Sequence, residues 1–486
     1  MLWAIIAIAV FGLVAIWPKR PRARTSAGKD VPRPLRGTWL VKEKQGKRLW
    51  QEELDERGLD PADLVPFGNG FLLPETECQH LKIVGTSGSG KSTAIKHILA
   101  AVERRPAQRC VIVDPDGGYA RLFYRPERGD RILNPFDGRS VTWDLAGEIS
   151  EDYDIRQLAT ALVPDMPGER GEWERYGQTL VAATIRALRL DGRLDPRTLW
   201  AVLSQEPTES FAQFVADTPA ARFFEKDNER MLASIMSVAS SACAGLEYLR
   251  PGSGDFSLSQ YARSDDRAWL FITFKAKQID ALRNIIASWL RILIFSMLER
   301  PEGDSGTWLV IDELDALGRI AGLADALARI RKFGGRVLLA FQAIGQLYAL
   351  YGLDLTGALL ENCASSLILK CSSAGKQAGT SQFAAHLIGE REVVRTTRQT
   401  SETQGSSLQH GLKIAPGTNR SKVSGTNTAP VVEPAVLPSQ IEAFENLRGY
   451  CHSHGMPFWS RCSIPLLTRD PAAEAFVPRG AQGACE

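Results

Sequence analysis

Residues 85–92 read Gly-Thr-Ser-Gly-Ser-Gly-Lys-Ser, with the apolar run Leu81–Val84 before them and the helix-compatible stretch TAIKHILAAVERR after them. No other feature restricts the fold as tightly. The run matches G-x-x-x-x-G-K-[ST] in the order strand, loop, helix, in which glycines let backbone N–H groups wrap phosphate oxygens at the positive end of a helix dipole. Nucleotide binding is therefore expected at Gly85, Thr86, Ser87, Gly88, Ser89, Gly90, Lys91, Ser92 and Thr93. Lys91 would meet the β/γ-phosphates and Ser92 would ligate the metal, so ATP and Mg2+ are the expected cofactors.

Such a loop needs an acidic partner at the end of a distant apolar strand. The run Trp308-Leu-Val-Ile-Asp-Glu313 supplies two acids. Asp312 would bind the hydrated metal beside Ser92, and Glu313 would orient or deprotonate the attacking water. Further on, Arg331-Lys-Phe-Gly-Gly-Arg336 leads into VLLAFQ, ending at Gln342. A polar residue at that strand tip can sense the γ-phosphate, and an arginine can neutralise transition-state charge across a subunit boundary. Alternatively, Arg331, Lys332 and Arg336 only solvate a helix end.

With 486 residues the chain exceeds one ordinary core, and its 44% hydrophobic content is that of a globular protein. LKIV, CVIVD (Cys110–Asp114), WLFITF (Trp269–Phe274), WLVIDE, RVLLAFQ (Arg336–Gln342) and SLILK (Ser366–Lys370) are continuous apolar runs of strand length, several of them separated by helical stretches. That pattern predicts an α/β fold with a parallel sheet buried on both faces. Between Trp143 and Arg250 strand signals give way to helix-compatible stretches, predicting an inserted all-α domain over 146–250. The nucleotide-binding domain then comprises 68–145 and 251–470, with a tail at 471–486. Thr396–Thr428 is rich in Ser, Thr, Gly, Gln and Asn and reads as a mobile surface loop. The eight cysteines are scattered without a C-x-x-C pair and read as reduced.

Residues 1–17, MLWAIIAIAVFGLVAIW, carry no charge, and as a helix they would be roughly 25 Å long. They predict one transmembrane helix, followed by a juxtamembrane linker at 18–67. The net charge of +2 divides into +6 over residues 1–36 and −4 over the rest. Basic residues C-terminal to the apolar run predict that the bulk of the chain lies on the cytoplasmic side, with the N-terminus outside. The acidic remainder excludes a uniformly basic nucleic-acid coat, so any grip on DNA must be local.

The motifs together resemble those of the coupling proteins of conjugative type IV secretion systems, the TraD/TraG-like membrane-anchored hexameric DNA motors. The matching stretches are IVGTSGSGKST, VIVDPDGGYARLFYRPERGDRILNPFDGRSVTWDL, LVIDELDALGRI, ARIRKFGGRVLLAFQAIGQLYALYG and VVEPAVLPSQIEAFENLRGY, within about 80–145 and 265–450. The resemblance implies a RecA-like P-loop NTPase domain carrying the all-α insertion, with Gln342 as sensor glutamine and Arg331 as candidate arginine finger. It also implies a homo-hexamer that pumps DNA without regard to sequence. Its implied partners are the relaxase with other relaxosome proteins and inner-membrane components of the secretion channel. Family members commonly have two transmembrane helices where this sequence shows one. Competing readings are an FtsK/HerA-like DNA translocase, which would lack the helical insertion, and a nucleotide-switched membrane adaptor for protein substrates, against which Glu313 argues.

Overall fold

The computed structural model describes residues 34–165, 171–225, 228–303, 306–372, 379–405 and 419–480. The expected transmembrane helix at 1–17 lies outside the described residues, as does the basic stretch through residue 33. Among the described residues no helix is long and apolar enough to cross a membrane.

The strands, in chain order, are β1 (Arg36–Gly37), β2 (Leu40–Val41), β3 (Val65–Phe67), β4 (Gly70–Leu72), β5 (Leu81–Val84), β6 (Arg109–Pro115), β7 (Arg131–Leu133), β8 (Leu270–Phe274), β9 (Thr307–Ile311), β10 (Gly335–Phe341), β11 (Ser365–Ile368), β12 (Glu390–Gly405), β13 (Asn419–Pro434), β14 (Arg448–His452) and β15 (Trp459–Ser463). Ten of them form one sheet in the order β2-β15-β14-β11-β5-β10-β9-β6-β8-β7. From β11 to β7 every neighbouring pair is parallel, while β14 runs antiparallel to both β11 and β15. Burial on both faces explains the unbroken apolar runs. Cys110 and Ile112 of β6 enter one core, and Val111 and Val113 enter the other.

The main helices are α1 (Glu43–Arg57), α2 (Lys91–Glu103), α3 (Asp152–Leu162), α4 (Gly171–Leu190), α5 (Pro196–Gln205), α6 (Glu229–Cys243), α7 (Ile279–Met297) and α8 (Leu323–Ile330). Helices α3 to α6 lie in the chain between β7 and β8. The Asp195 carboxylate caps α5 by accepting from the N–H groups of Arg197 and Thr198. Leu158, Leu180, Val181 and Ile235 from this helical segment join the same core as Val113 and Ile311 of the sheet. Ser288 of α7 donates to the Ala161 carbonyl at 2.7 Å, tying the end of α3 to the sheet-covering helix.

Three segments depart from the sequence reading. The expected linker 18–67 is folded from residue 36 onward: Trp50 and Leu54 of α1 are buried, and Trp50 packs with Val41, Leu73, Met456 and Phe458 in a small separate core. The charged residues of Glu43–Arg57 occupy the outer face of an amphipathic helix. The expected loop Thr396–Thr428 instead falls largely within β12 and β13, which pair antiparallel from Glu390↔Pro434 to Gly405↔Asn419. Backbone hydrogen bonds make this ladder of about 50 Å, at 3.4 Å per residue, without needing apolar alternation. Only residues 406–418 of that stretch lie outside the described residues. β1 pairs with the base of the hairpin, Arg36 opposite Glu392. The expected tail begins as a packed strap: the N–H of Ala472 donates to Arg121 O, and the N–H of Gly138 to Val477 O, each at 2.7 Å. Arg469 closes the strap's start on Glu103 at 2.6 Å.

Candidate nucleotide site

The loop after β5 is held between two neighbouring strand ends. Gly85 N–H donates to Phe341 O at 3.3 Å, at the tip of β10, and Thr86 N–H to Lys370 O at 2.8 Å, just beyond β11. Gly90 starts α2 with φ of 114°, a conformation that an L side chain rarely adopts, and a Cβ there would meet Leu447 at 2.8 Å. No side chain caps this helix start. Its first N–H groups are consequently free for an anion. The Ser89 hydroxyl is buried within the loop without a hydrogen-bond partner, and a Cβ at Gly88 would meet open space. Both observations fit a cradle for phosphate.

Lys91 is only 6% exposed and its Nζ donates to Gly85 O at 2.7 Å and Thr86 O at 3.2 Å, closing the loop on itself. Burial pushes its pKa down, while Asp312, Glu313 and Asp315 pull it back up. The Ser92 hydroxyl lies 3.4 Å from Oδ2 of Asp312, at the end of β9. One hydroxyl and one carboxylate form the sparse donor set that suits Mg2+ shared with phosphates. Among the described residues no group of three or more His, Cys, Asp or Glu forms an all-protein metal cage.

Glu313 follows with φ of 58°, left-handed backbone that is unusual for a non-glycine residue, and its own N–H donates to Oδ1 of Asp312 at 3.0 Å. Its carboxylate is half-buried and accepts from Gln342 Nε2 at 2.9 Å. Burial raises the Glu313 pKa first, and the nearby Asp312 charge raises it further. A carboxylate so placed is equipped to take a proton from water. Asp315 accepts the N–H groups of both Gln342 and Ala343 at 3.0 Å, which fixes the tip of β10 against the turn after β9.

Of the expected residues, the loop 85–93, Asp312, Glu313 and Gln342 converge at the C-terminal edge of the parallel strands. Arg331 does not join them. It sits exposed in the turn Arg331–Phe333 ahead of β10, at the other end of that strand from Gln342. The separation is about 20 Å for a strand rising 3.3 Å per residue. Arg336, grouped with it as a possible solvating charge, is instead buried and paired with Glu77 at 2.8 Å. Three site residues were not anticipated: Asp114, Tyr119 and Asp315. Tyr119 donates to Oδ2 of Asp312 at 2.6 Å, and the fully buried Asp114 accepts the N–H groups of Tyr119 and Ala120. Burial lifts the Asp114 pKa to about 7 despite those backbone donors. The available sequence signal was that CVIVD, like WLVIDE, is an apolar run ending in an acid.

A family model described as the type IV secretion-system coupling protein DNA-binding domain matches residues 68–460. The chain is 27% identical over 423 residues to the coupling protein TraD of Escherichia coli strain K12, covering 85% of this chain and 56% of that protein. It thus spans little more than half of that relative. Among solved structures, the unbound bacterial conjugative coupling protein TrwBdeltaN70 superposes with a TM-score of 0.78 at 28% identity, covering 92% of this chain and 97% of the other. The plasmid coupling protein TrwB in complex with ADP and Mg2+ gives 0.77 at 27% identity, covering 93% and 99%.

Proposed function

Since this chain belongs to the type IV secretion-system coupling proteins, we propose that it is a membrane-anchored, hexameric, Mg2+-dependent ATPase motor that brings a relaxase–DNA complex to the secretion channel and pumps DNA. The observation that carries this reading is the meeting of Lys91, Ser92, Asp312, Glu313 and Gln342 around one phosphate cradle. Asp312 and Ser92 hold the metal, Lys91 and the loop N–H groups hold the phosphates, Glu313 takes the proton of the attacking water, and Gln342 orients Glu313. Mg2+ supplies charge neutralisation on the phosphates.

Further support comes from the solved complex of TrwB with ADP and Mg2+, whose fold this chain shares. In this reading residues 1–17 anchor the chain, single-pass, in a bacterial inner membrane. Residues 146–250 form the all-α domain that receives relaxase and other relaxosome proteins, and inner-membrane secretion components meet the anchor. DNA is gripped through its phosphates, independent of sequence, inside the ring. An adaptor that only switches on nucleotide is disfavoured by the Glu313–Gln342 pair, which a switch without hydrolysis does not need.

The deciding experiment measures ATPase activity of the full chain in detergent, with and without single- or double-stranded DNA, together with oligomeric mass. DNA-stimulated turnover in the hexameric fraction is expected; no turnover with either DNA form would end the motor reading. Arg331, at the far end of β10 from its own chain's site, is assigned to the neighbouring subunit's nucleotide. Arg331→Ala should lower turnover by about a hundredfold while leaving ATP affinity within a few-fold. Unchanged turnover would remove Arg331 from the site.

A further inference from the structure

We propose that Tyr119 is a positioning residue that holds the Asp312 carboxylate in the orientation a hydrated divalent cation requires; the inference rests on the nucleotide-site reading above. β6 and β9 are parallel neighbours, with Val113 opposite Ile311, so Asp114, the next residue of β6, and Asp312, the first residue beyond β9, lie side by side at this edge of the sheet. After Asp114 the chain turns sharply through Asp116 and Gly117, at φ of 57° and 68°. The Asp114 carboxylate then accepts Tyr119 N–H at 3.0 and 3.1 Å and Ala120 N–H at 2.6 Å, which locks the turn. From the other side the C-terminal strap closes over it. A Cβ on Gly117 would come within 2.1 Å of Ala475 O, so the strap packs directly on the turn at a position only glycine fits.

The result is a tyrosine 2% exposed, its ring in the same core as Ala120 and Phe123, with its hydroxyl 2.6 Å from Oδ2 of Asp312. That carboxylate is thereby held from three elements: by Tyr119 after β6, by Ser92 at the start of α2, and by the N–H of Glu313 on its second oxygen. A phenol is suited to this place because it is a neutral donor. It fixes the carboxylate without cancelling the negative charge that attracts the cation, as a lysine or arginine there would. The second oxygen, Oδ1, accepts only the Glu313 N–H and so keeps a lone pair for the cation. Partners that orient a metal ligand typically change metal affinity about 10- to 100-fold when removed.

The test uses the full chain and Tyr119→Phe, which deletes only the hydroxyl and keeps the ring in its core. Mn2+ is titrated in the presence of saturating ADP, with free Mn2+ counted by electron paramagnetic resonance, and ADP affinity is measured separately in EDTA. The expected result is a Mn2+ half-saturation raised about tenfold, with metal-free ADP affinity within twofold of the wild type. Superimposable Mn2+ curves would overturn the role, as would a metal-free ADP affinity that falls by the same factor, because the hydroxyl would then serve the fold of the site. A wild-type chain that takes up no Mn2+ with ADP overturns the nucleotide-site reading itself, and this inference with it. A normal wild type with an unshifted variant overturns only the role of Tyr119.

Discussion

Lys91→Ala should reduce ATP turnover by about 10²- to 10³-fold, because one preorganised donor aimed at developing phosphate charge is lost. The loss extends to binding. In the structure Nζ bonds the carbonyls of Gly85 and Thr86; Thr86 O also accepts the Ser89 N–H at 3.2 Å, so alanine leaves the Gly85 carbonyl without its donor as well as removing the cation. An unpaired buried acceptor costs about 1–3 kcal/mol. The loop should loosen and ATP affinity should fall together with the rate. If the proposed function holds, the variant should abolish plasmid transfer in cells while fractionating as the wild type does. Turnover within a factor of ten of wild type would contradict the assignment of the loop.

Glu313→Gln should separate the two properties that Lys91→Ala changes together. Glutamine keeps the volume and an oxygen able to accept from Gln342, as Glu313 now does at 2.9 Å. Only the proton-accepting charge disappears. Turnover should fall about 10³-fold, within the range for a positioned general base, while ATP affinity stays within a few-fold and oligomers accumulate with nucleotide bound. The wild-type pH profile gives a second reading of the same group. Burial raises the Glu313 pKa, with Asp312 raising it further. The base works only when deprotonated, so turnover should climb with pH across a range above that of an ordinary glutamate. An unaltered rate in Glu313→Gln would assign the base elsewhere.

What could be read from the sequence was whatever is encoded locally. The phosphate loop was legible because its glycines, Lys91 and Ser92 form one contiguous run between a strand and a helix. Asp312 and Glu313 were legible because an apolar strand ends on them. Tyr119 was not, since its role depends on β6 lying beside β9, and that adjacency belongs to strand order. The residues 40–67 were hidden for a related reason. Val41 and Trp50 find their partners at Met456 and Phe458, some four hundred positions along the chain. The hairpin β12–β13 escaped because a ladder of backbone bonds leaves no apolar period to detect. The strap at 471–480 is likewise held largely by main-chain groups, Ala472 on Arg121 and Gly138 on Val477.

The placement of Arg331 and Gln342 at opposite ends of β10 has a consequence for symmetry. If the first completes a site on one neighbour while the second serves the chain's own site, each molecule gives with one end and receives with the other. A two-fold pair would have to lay the whole length of the strand against its partner to satisfy both. A head-to-tail contact needs only the ends, and contacts of that kind either close by rotation into a ring or propagate as a filament. Every joint then has the same polarity, so an assembly built this way repeats the direction of β10 from subunit to subunit instead of cancelling it, as a two-fold pair would.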